Sequence, residues 1–175
     1  MKINKAKVIK LHITDIMESH RLDPITVILE DIGPRQGKII IECYGQSWSA
    51  YWGGMGDNTI SEFFCSCDNG YLIGNLAPSL RPTVDDYDNL DKWLKSGIIS
   101  SRRNHEMSAG DAKDTWDDVE LLCVNDESFL HSSDGARLAE HIIGDEWWYT
   151  IPQTENPKYE YLSRIVSTVK EALSK

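Results

Sequence analysis

The sequence predicts an α+β fold, with an antiparallel sheet of about four strands at the amino end packed against helices of the carboxyl half. Two observations predict it. Through residue 52 apolar side chains recur with period two, the repeat of half-buried strands, and from Thr59 onward they recur at three and four, the repeat of helices with one buried face. The stretches of alternation are joined by short connections rich in turn formers, as hairpins require. A chain of 175 residues with 41% hydrophobic content suits a single domain, with 1–52 a β-meander and 53–175 mainly helical.

The elements follow in order. Ile9, Leu11 and Ile13 share one face of the first strand, Ile25, Val27 and Leu29 one face of the second, Ile39, Ile41 and Cys43 one face of the third, and Trp48, Ala50 and Trp52 one face of the fourth. Gly33-Pro34-Arg35-Gln36-Gly37 joins the second strand to the third, and Gly45-Gln46 joins the third to the fourth. Thr59 and Glu62 have the spacing of a capping box, which starts a short helix through Phe63 and Phe64. After the prolines at 78 and 82, a helix is expected over Val84 to Ile99, with Tyr87, Leu90, Leu94 and Ile98 as one stripe and Trp93 beside it. The stretch from Ser100 to Gly110, with Arg102, Arg103 and Asn104, is expected to be a mobile loop.

Ser108 and Asp111 give a second capping signal, and the helix they begin is two-faced. Ala112, Trp116, Val119 and Cys123 fall on one side; Asp111, Asp114, Asp117 and Asp118 fall on the other as a row of carboxylates. A further helix is expected near Gly135 to Ile143, capped by Ser133 or Asp134. The last is capped by Asn156, carries Pro157 in its first turn and runs Leu162, Ile165, Val166, Val169 and Leu173 along one stripe.

The formal charge is -10, concentrated in 84–127, where 12 acidic side chains face 5 basic ones. Such a surface repels nucleic-acid phosphates and anionic membranes, so direct nucleic-acid and membrane partners are disfavoured. The basic start of the chain leads into alternating rather than continuous apolar residues, and no later run reaches membrane-spanning length, which predicts a cytoplasmic protein. Four cysteines are too sparse for a disulfide scaffold and are expected to be reduced.

Several stretches invite chemistry. The loop Gly53-Gly54-Met55-Gly56 lies between a strand and a helix start, the geometry that presents backbone N–H groups to a phosphate. It lacks the lysine and serine or threonine of a P-loop, and Asp57 stands where a phosphate would sit, so a structural turn is the expected role. Cys65 and Cys67, with Cys43 or Cys123 and a histidine, can be read as zinc ligands, but one intervening residue is closer than the usual pair spacing, and no metal is expected. Asp85, Asp86, Asp88 and Asp91 lack the glycine turn and terminal acid of a calcium loop and suit the solvated first turn of a helix. The histidines at 12, 20, 105, 131 and 141 are scattered, and Ser132-Ser133-Asp134 beside His131 reads as a helix cap rather than a hydrolytic cluster. No cofactor, metal or catalytic residue is assigned, and an enzyme is not expected.

Trp48 to Leu76, with Tyr-Trp-Gly-Gly-Met-Gly, Phe-Phe-Cys-Ser-Cys-Asp and Gly-Tyr-Leu-Ile-Gly-Asn-Leu, resembles an accessory protein family of tailed phages and prophages of enteric bacteria. The likeness covers mainly the first half of the chain and brings no catalytic residues. It implies a small, acidic, cytoplasmic phage accessory protein, often an agent against a host system.

Acid row and resemblance together point to a non-enzymatic protein that binds and inhibits a host defence or nucleic-acid-handling protein with a basic surface, by mimicry of nucleic acid. The residues expected to meet that partner are Asp111, Asp114, Asp117 and Asp118, then Asp85, Asp86 and Asp88, and the adjacent aromatics Trp147 and Trp148, whose side chains in an extended segment point to opposite sides. A homodimer stays open. The alternatives are a small-ligand binder or enzyme using the Gly53–Gly56 turn and the Cys65/Cys67 cluster, and a structural or assembly protein.

Overall fold

A computed structural model describes residues 3, 5–16, 22–122, 124 and 126–175. Cys123 and His20, considered above as ligand candidates, lie outside the described residues. The architecture is α+β, and the described chain forms two compact units, one built from Met1–Pro82 with Asn156–Lys175 and the other from Thr83–Glu155.

In the first unit β1 (Ile9–Ile13), β2 (Ile25–Gly33), β3 (Gln36–Cys43) and β4 (Gln46–Trp52) form an antiparallel meander in that order. The register puts Val27 opposite Ile41, and Ile41 opposite Trp48, so the period-two apolar set of each strand lies on one face. Ile25, Val27, Ile39 and Ile41 are fully buried there; in the edge strand β1 Leu11 and Ile13 are half-buried while Ile9 is exposed. The buried face is covered by α1 (Ile60–Ser66), α2 (Asn69–Leu76) and α7 (Pro157–Leu173), whose Phe64, Leu72, Ile73, Leu162, Ile165, Val166 and Val169 complete the core. Each of these large side chains contributes roughly 1.5–3 kcal/mol by leaving water.

In the second unit α3 (Leu90–Arg103), α4 (Ala109–Leu121), α5 (Glu127–His131) and α6 (Ser133–Ile143) close around a separate core of Leu90, Leu94, Ile98, Met107, Val119, Phe129, Leu130, Ala139 and Ile142. The helix expected from Val84 begins instead at Leu90, because β5 (Thr83–Asp85) pairs antiparallel with β6 (Gln153–Glu155) and a 3-10 turn, Tyr87–Asn89, follows. It ends at Arg103 rather than Ile99. The expected loop Ser100 to Gly110 is therefore partly helix, and its remainder is tied down: the amides of Glu106 and Met107 donate to Ser101 O, and Met107 is buried.

Chain departure and return are fastened within the first unit. Asn156 is 7% exposed; its side-chain oxygen caps α7 by accepting from Lys158 N (3.0 Å), its Nδ2 donates to Arg81 O (2.8 Å), and its amide donates to Pro82 O (2.9 Å). One asparagine thus caps a helix and joins two strands of chain 75 residues apart.

Candidate functional site

The charge divides by unit. The segment 83–155 carries 17 acidic and 6 basic side chains, net -11, and the rest of the chain 11 acidic and 12 basic, net +1, which together give the total of -10. Every residue expected to meet a partner lies in the acidic unit.

Ser108 caps α4 by accepting from Asp111 N (3.2 Å), which fixes the helix phase. Thr115 and Val119 are buried, Ala112 and Trp116 half-buried, and Asp111, Asp114, Asp117 and Asp118 are all exposed, with no hydrogen bond or ion pair to their carboxylates among the described residues. At ~1.5 Å rise per residue the four charges occupy about 10 Å of axis. The axial steps are about 4.5, 4.5 and 1.5 Å, and their mean of roughly 3.5 Å compares with about 3.4 Å of axis per charge along one strand of DNA. One turn beyond Asp117 and Asp118 stands Leu121, 77% exposed, followed by the exposed Leu122. Neither leucine belongs to the apolar stripe that the sequence predicts for this helix; Leu121, three residues from Asp118 and four from Asp117, belongs to the polar face.

Glu120 behaves differently from the row. Its carboxylate accepts hydrogen bonds from Lys95 Nζ at 3.1 Å and from Trp116 Nε1 at 3.0 Å, and these bonds hold its pKa below the ordinary value. Lys95 also sits 5.0 Å from the centre of the Trp116 ring. This triad fixes the indole between α3 and α4.

The second acidic group has mostly internal partners. Asp85 accepts from the Tyr87 hydroxyl (3.2 Å) and from Gln153 Nε2; Asp86 accepts from Asn89 Nδ2 (2.7 Å), and its amide donates to Pro152 O (2.7 Å). Burial, and then the Asp85 charge, push the Tyr87 phenol above its ordinary value. Both aspartates are half-buried and lie outside any α-helix, a correction of the solvated helix start, and only Asp88 of the three is exposed. Trp147, Trp148 and Tyr149 form a 3-10 turn instead of an extended segment, so the indoles do not oppose each other but meet edge-on, 5.8 Å between centroids. Trp147 packs on the core of its unit, Trp148 is 50% exposed and Tyr149 78%.

The glycine loop is filled by its own chain. Met55 is buried and its amide donates to Arg35 O (2.9 Å). At the helix start Ile60 N donates to Asp31 Oδ1 (2.7 Å), Thr59 N to Glu62 (2.8 Å) and Glu62 N to Thr59 Oγ1 (3.3 Å), so these three amides already have oxygen partners. Cys43 is buried 3.3 Å from the Tyr161 hydroxyl, whose pKa burial and this thiol push up to about 12; Cys65 contacts Lys170 O (3.7 Å); and burial raises the Cys67 thiol. Among the described residues no three His, Cys, Asp or Glu side chains converge as ligands. The helix cap near 135 is Ser132, one residue before the expected position: its hydroxyl accepts from Gly135 N (2.9 Å) and donates to Phe129 O (2.6 Å), which commits it to the α5–α6 junction.

Fold and surface define a two-unit α+β protein in which one unit carries the net negative charge and an unpaired carboxylate row. The chain matches the model of a phage family over residues 1–175, and it belongs to that family. No curated protein and no solved structure matches it. No helix among the described residues is long and apolar enough to cross a membrane.

Proposed function

We propose that this phage protein is a non-enzymatic accessory protein that binds a host protein through the acidic unit and inhibits it by occupying a basic, nucleic-acid-binding surface. The observation that carries the reading is the α4 row: four exposed carboxylates with no partner among the described residues, at an average axial spacing near that of one DNA strand. Like charges a turn apart each cost a few tenths of a kcal/mol, which folding alone does not require. Leu121, Trp148 and Tyr149 add exposed apolar area of the kind that anchors protein interfaces. The site of action on this reading is the cytoplasm of the host cell.

The test is affinity capture from host lysate with the native protein and with D111N/D114N/D117N/D118N. Native protein is expected to retain a basic partner that is released as salt rises, and the fourfold variant to lose it with its melting temperature intact. Undiminished capture by a folded variant would refute the role of the row.

A further inference from the structure

The sheet of the first unit, in the order β1-β2-β3-β4, has two outer edges, and they differ. β1 carries Lys10 and His12 and follows Lys5 and Lys7, charge of the kind that keeps an edge from pairing with another chain. β4, Gln46-Ser47-Trp48-Ser49-Ala50-Tyr51-Trp52, has no charge, proline or glycine in its 7 residues, and its register with β3 runs without a bulge. It is the unguarded edge.

The two-residue turn at Tyr44 and Gly45, with φ of 50° and 73°, makes Cys43 and Gln46 the first hydrogen-bonded pair of the β3–β4 hairpin. Alternation then turns the N–H and C=O of Gln46, Trp48, Ala50 and Trp52 toward β3, and those of Ser47, Ser49 and Tyr51 outward. The three outward residues are exposed, and no group among the described residues bonds to their outward amides or carbonyls.

We propose that this edge pairs with β4 of a second copy of the chain, antiparallel about a two-fold axis at Ser49, so that the two sheets become one. Ser49 then faces Ser49 of the second copy and Ser47 faces its Tyr51, each pair exchanging two N–H···O bonds, and every outward group of both strands is used. A two-fold at Ser47 or Tyr51 would set Ser49 against Gly45 or Gly53, outside the strand. Side-chain sizes match in the same register. On the open face Tyr51 lies opposite Ser47, and on the helix-covered face the half-buried Trp48 lies opposite Ala50, a large group against a small one each time. This self-complementarity favours a second copy over a foreign peptide. Charge does not oppose it, because the strand has none and the residues outside 83–155 sum to +1.

The test follows the full chain over a concentration series by sedimentation and by amide exchange of ¹⁵N-labelled protein. A reversible dimer of the 19.9 kDa chain is expected. The Ser47, Ser49 and Tyr51 amides should exchange more slowly as concentration rises, while those of Trp48 and Ala50, already bonded to β3, stay protected throughout. Ser49→Lys sets like charges opposite each other across the axis at an exposed position, and should weaken the dimer at least about tenfold with circular dichroism unchanged. An equal mixture of S49K and S49E should pair again. A chain that stays monomeric up to about 1 mM, a dimer that S49K leaves intact, a mixture that fails to pair, or outward amides whose exchange ignores concentration would each overturn the proposal.

Discussion

Asp31 reaches from β2 to the first amide of α1, 29 residues later, and with Thr59 and Glu62 closes the helix start that the glycine loop leads into. Half of this arrangement was legible. The Thr59 and Glu62 spacing announces reciprocal capping by local chemistry, and the structure contains both bonds. Asp31 was not legible, because nothing near it in the chain marks the helix it serves. Thr59→Ala should cost the first unit about 1 kcal/mol, read as a lower denaturation midpoint. Bonds from the Thr59 backbone and hydroxyl lower the Glu62 pKa from the ordinary value of 4.5. The sign follows: the stabilisation by Glu62 is complete above that value and is lost as pH falls through the lowered pKa. Thermal melts of E62Q should show a weaker loss of stability on acidification than native protein; identical acid dependence would assign the effect to other groups.

At the level of elements, faces were more legible than ends. Leu90, Leu94 and Ile98 of α3, Val119 of α4, and Leu162, Ile165, Val166 and Val169 of α7 are buried as their periodicity requires, with Ala112, Trp116 and Leu173 half-buried, whereas α3 begins at Leu90 rather than Val84, because Thr83–Asp85 is claimed by Gln153–Glu155. A ribbon of three residues a side is too short to leave a periodic signal. Close approaches were also silent. A Cβ on Gly97 of α3 would come within 2.5 Å of Ile143 Cδ1 and 2.7 Å of Ile142 Cγ2, and one on Gly135 would run into the backbone carbonyl of Phe129. Gly97→Ala meets side-chain ends that can shift and should cost about 1–2 kcal/mol. Adding Ile143→Val, which removes the Cδ1 atom, should restore part of that loss in a double-mutant cycle. Gly135→Ala meets backbone and should cost roughly 3 kcal/mol or more, with no side-chain substitution that relieves it. Chemical denaturation followed by the second unit's tryptophan signal measures both, and a neutral G135A would contradict the α5–α6 junction described here.

For the whole molecule, the phage family, the α+β class and the concentration of acid in the middle of the chain agree with the sequence reading, while the partition into two cores was hidden. Hydrophobic periodicity marks which faces are buried but not which faces share a core. That information lies in contacts such as Asn156 with Arg81 and Pro82, far apart in sequence. The carboxylate row was legible as a face, and the last turn of α3 was not, because Arg102 and Arg103 stood in a stretch expected to be a loop. Replacing 83–155 by a bridge of about three glycine and serine residues, within the reach of a chain at ~3.5 Å per residue, should leave the sheet and its three helices folding cooperatively with a net charge near +1. Failure of that shortened chain to fold would show that the sheet needs the acidic segment. The Asn156 fastening has a consequence for descent. Where a polypeptide leaves and re-enters a fold at one hydrogen-bonded point, the intervening gene segment can be lengthened, lost or traded between genomes as a cassette, and selection can remodel the acidic surface without renegotiating the core that carries it.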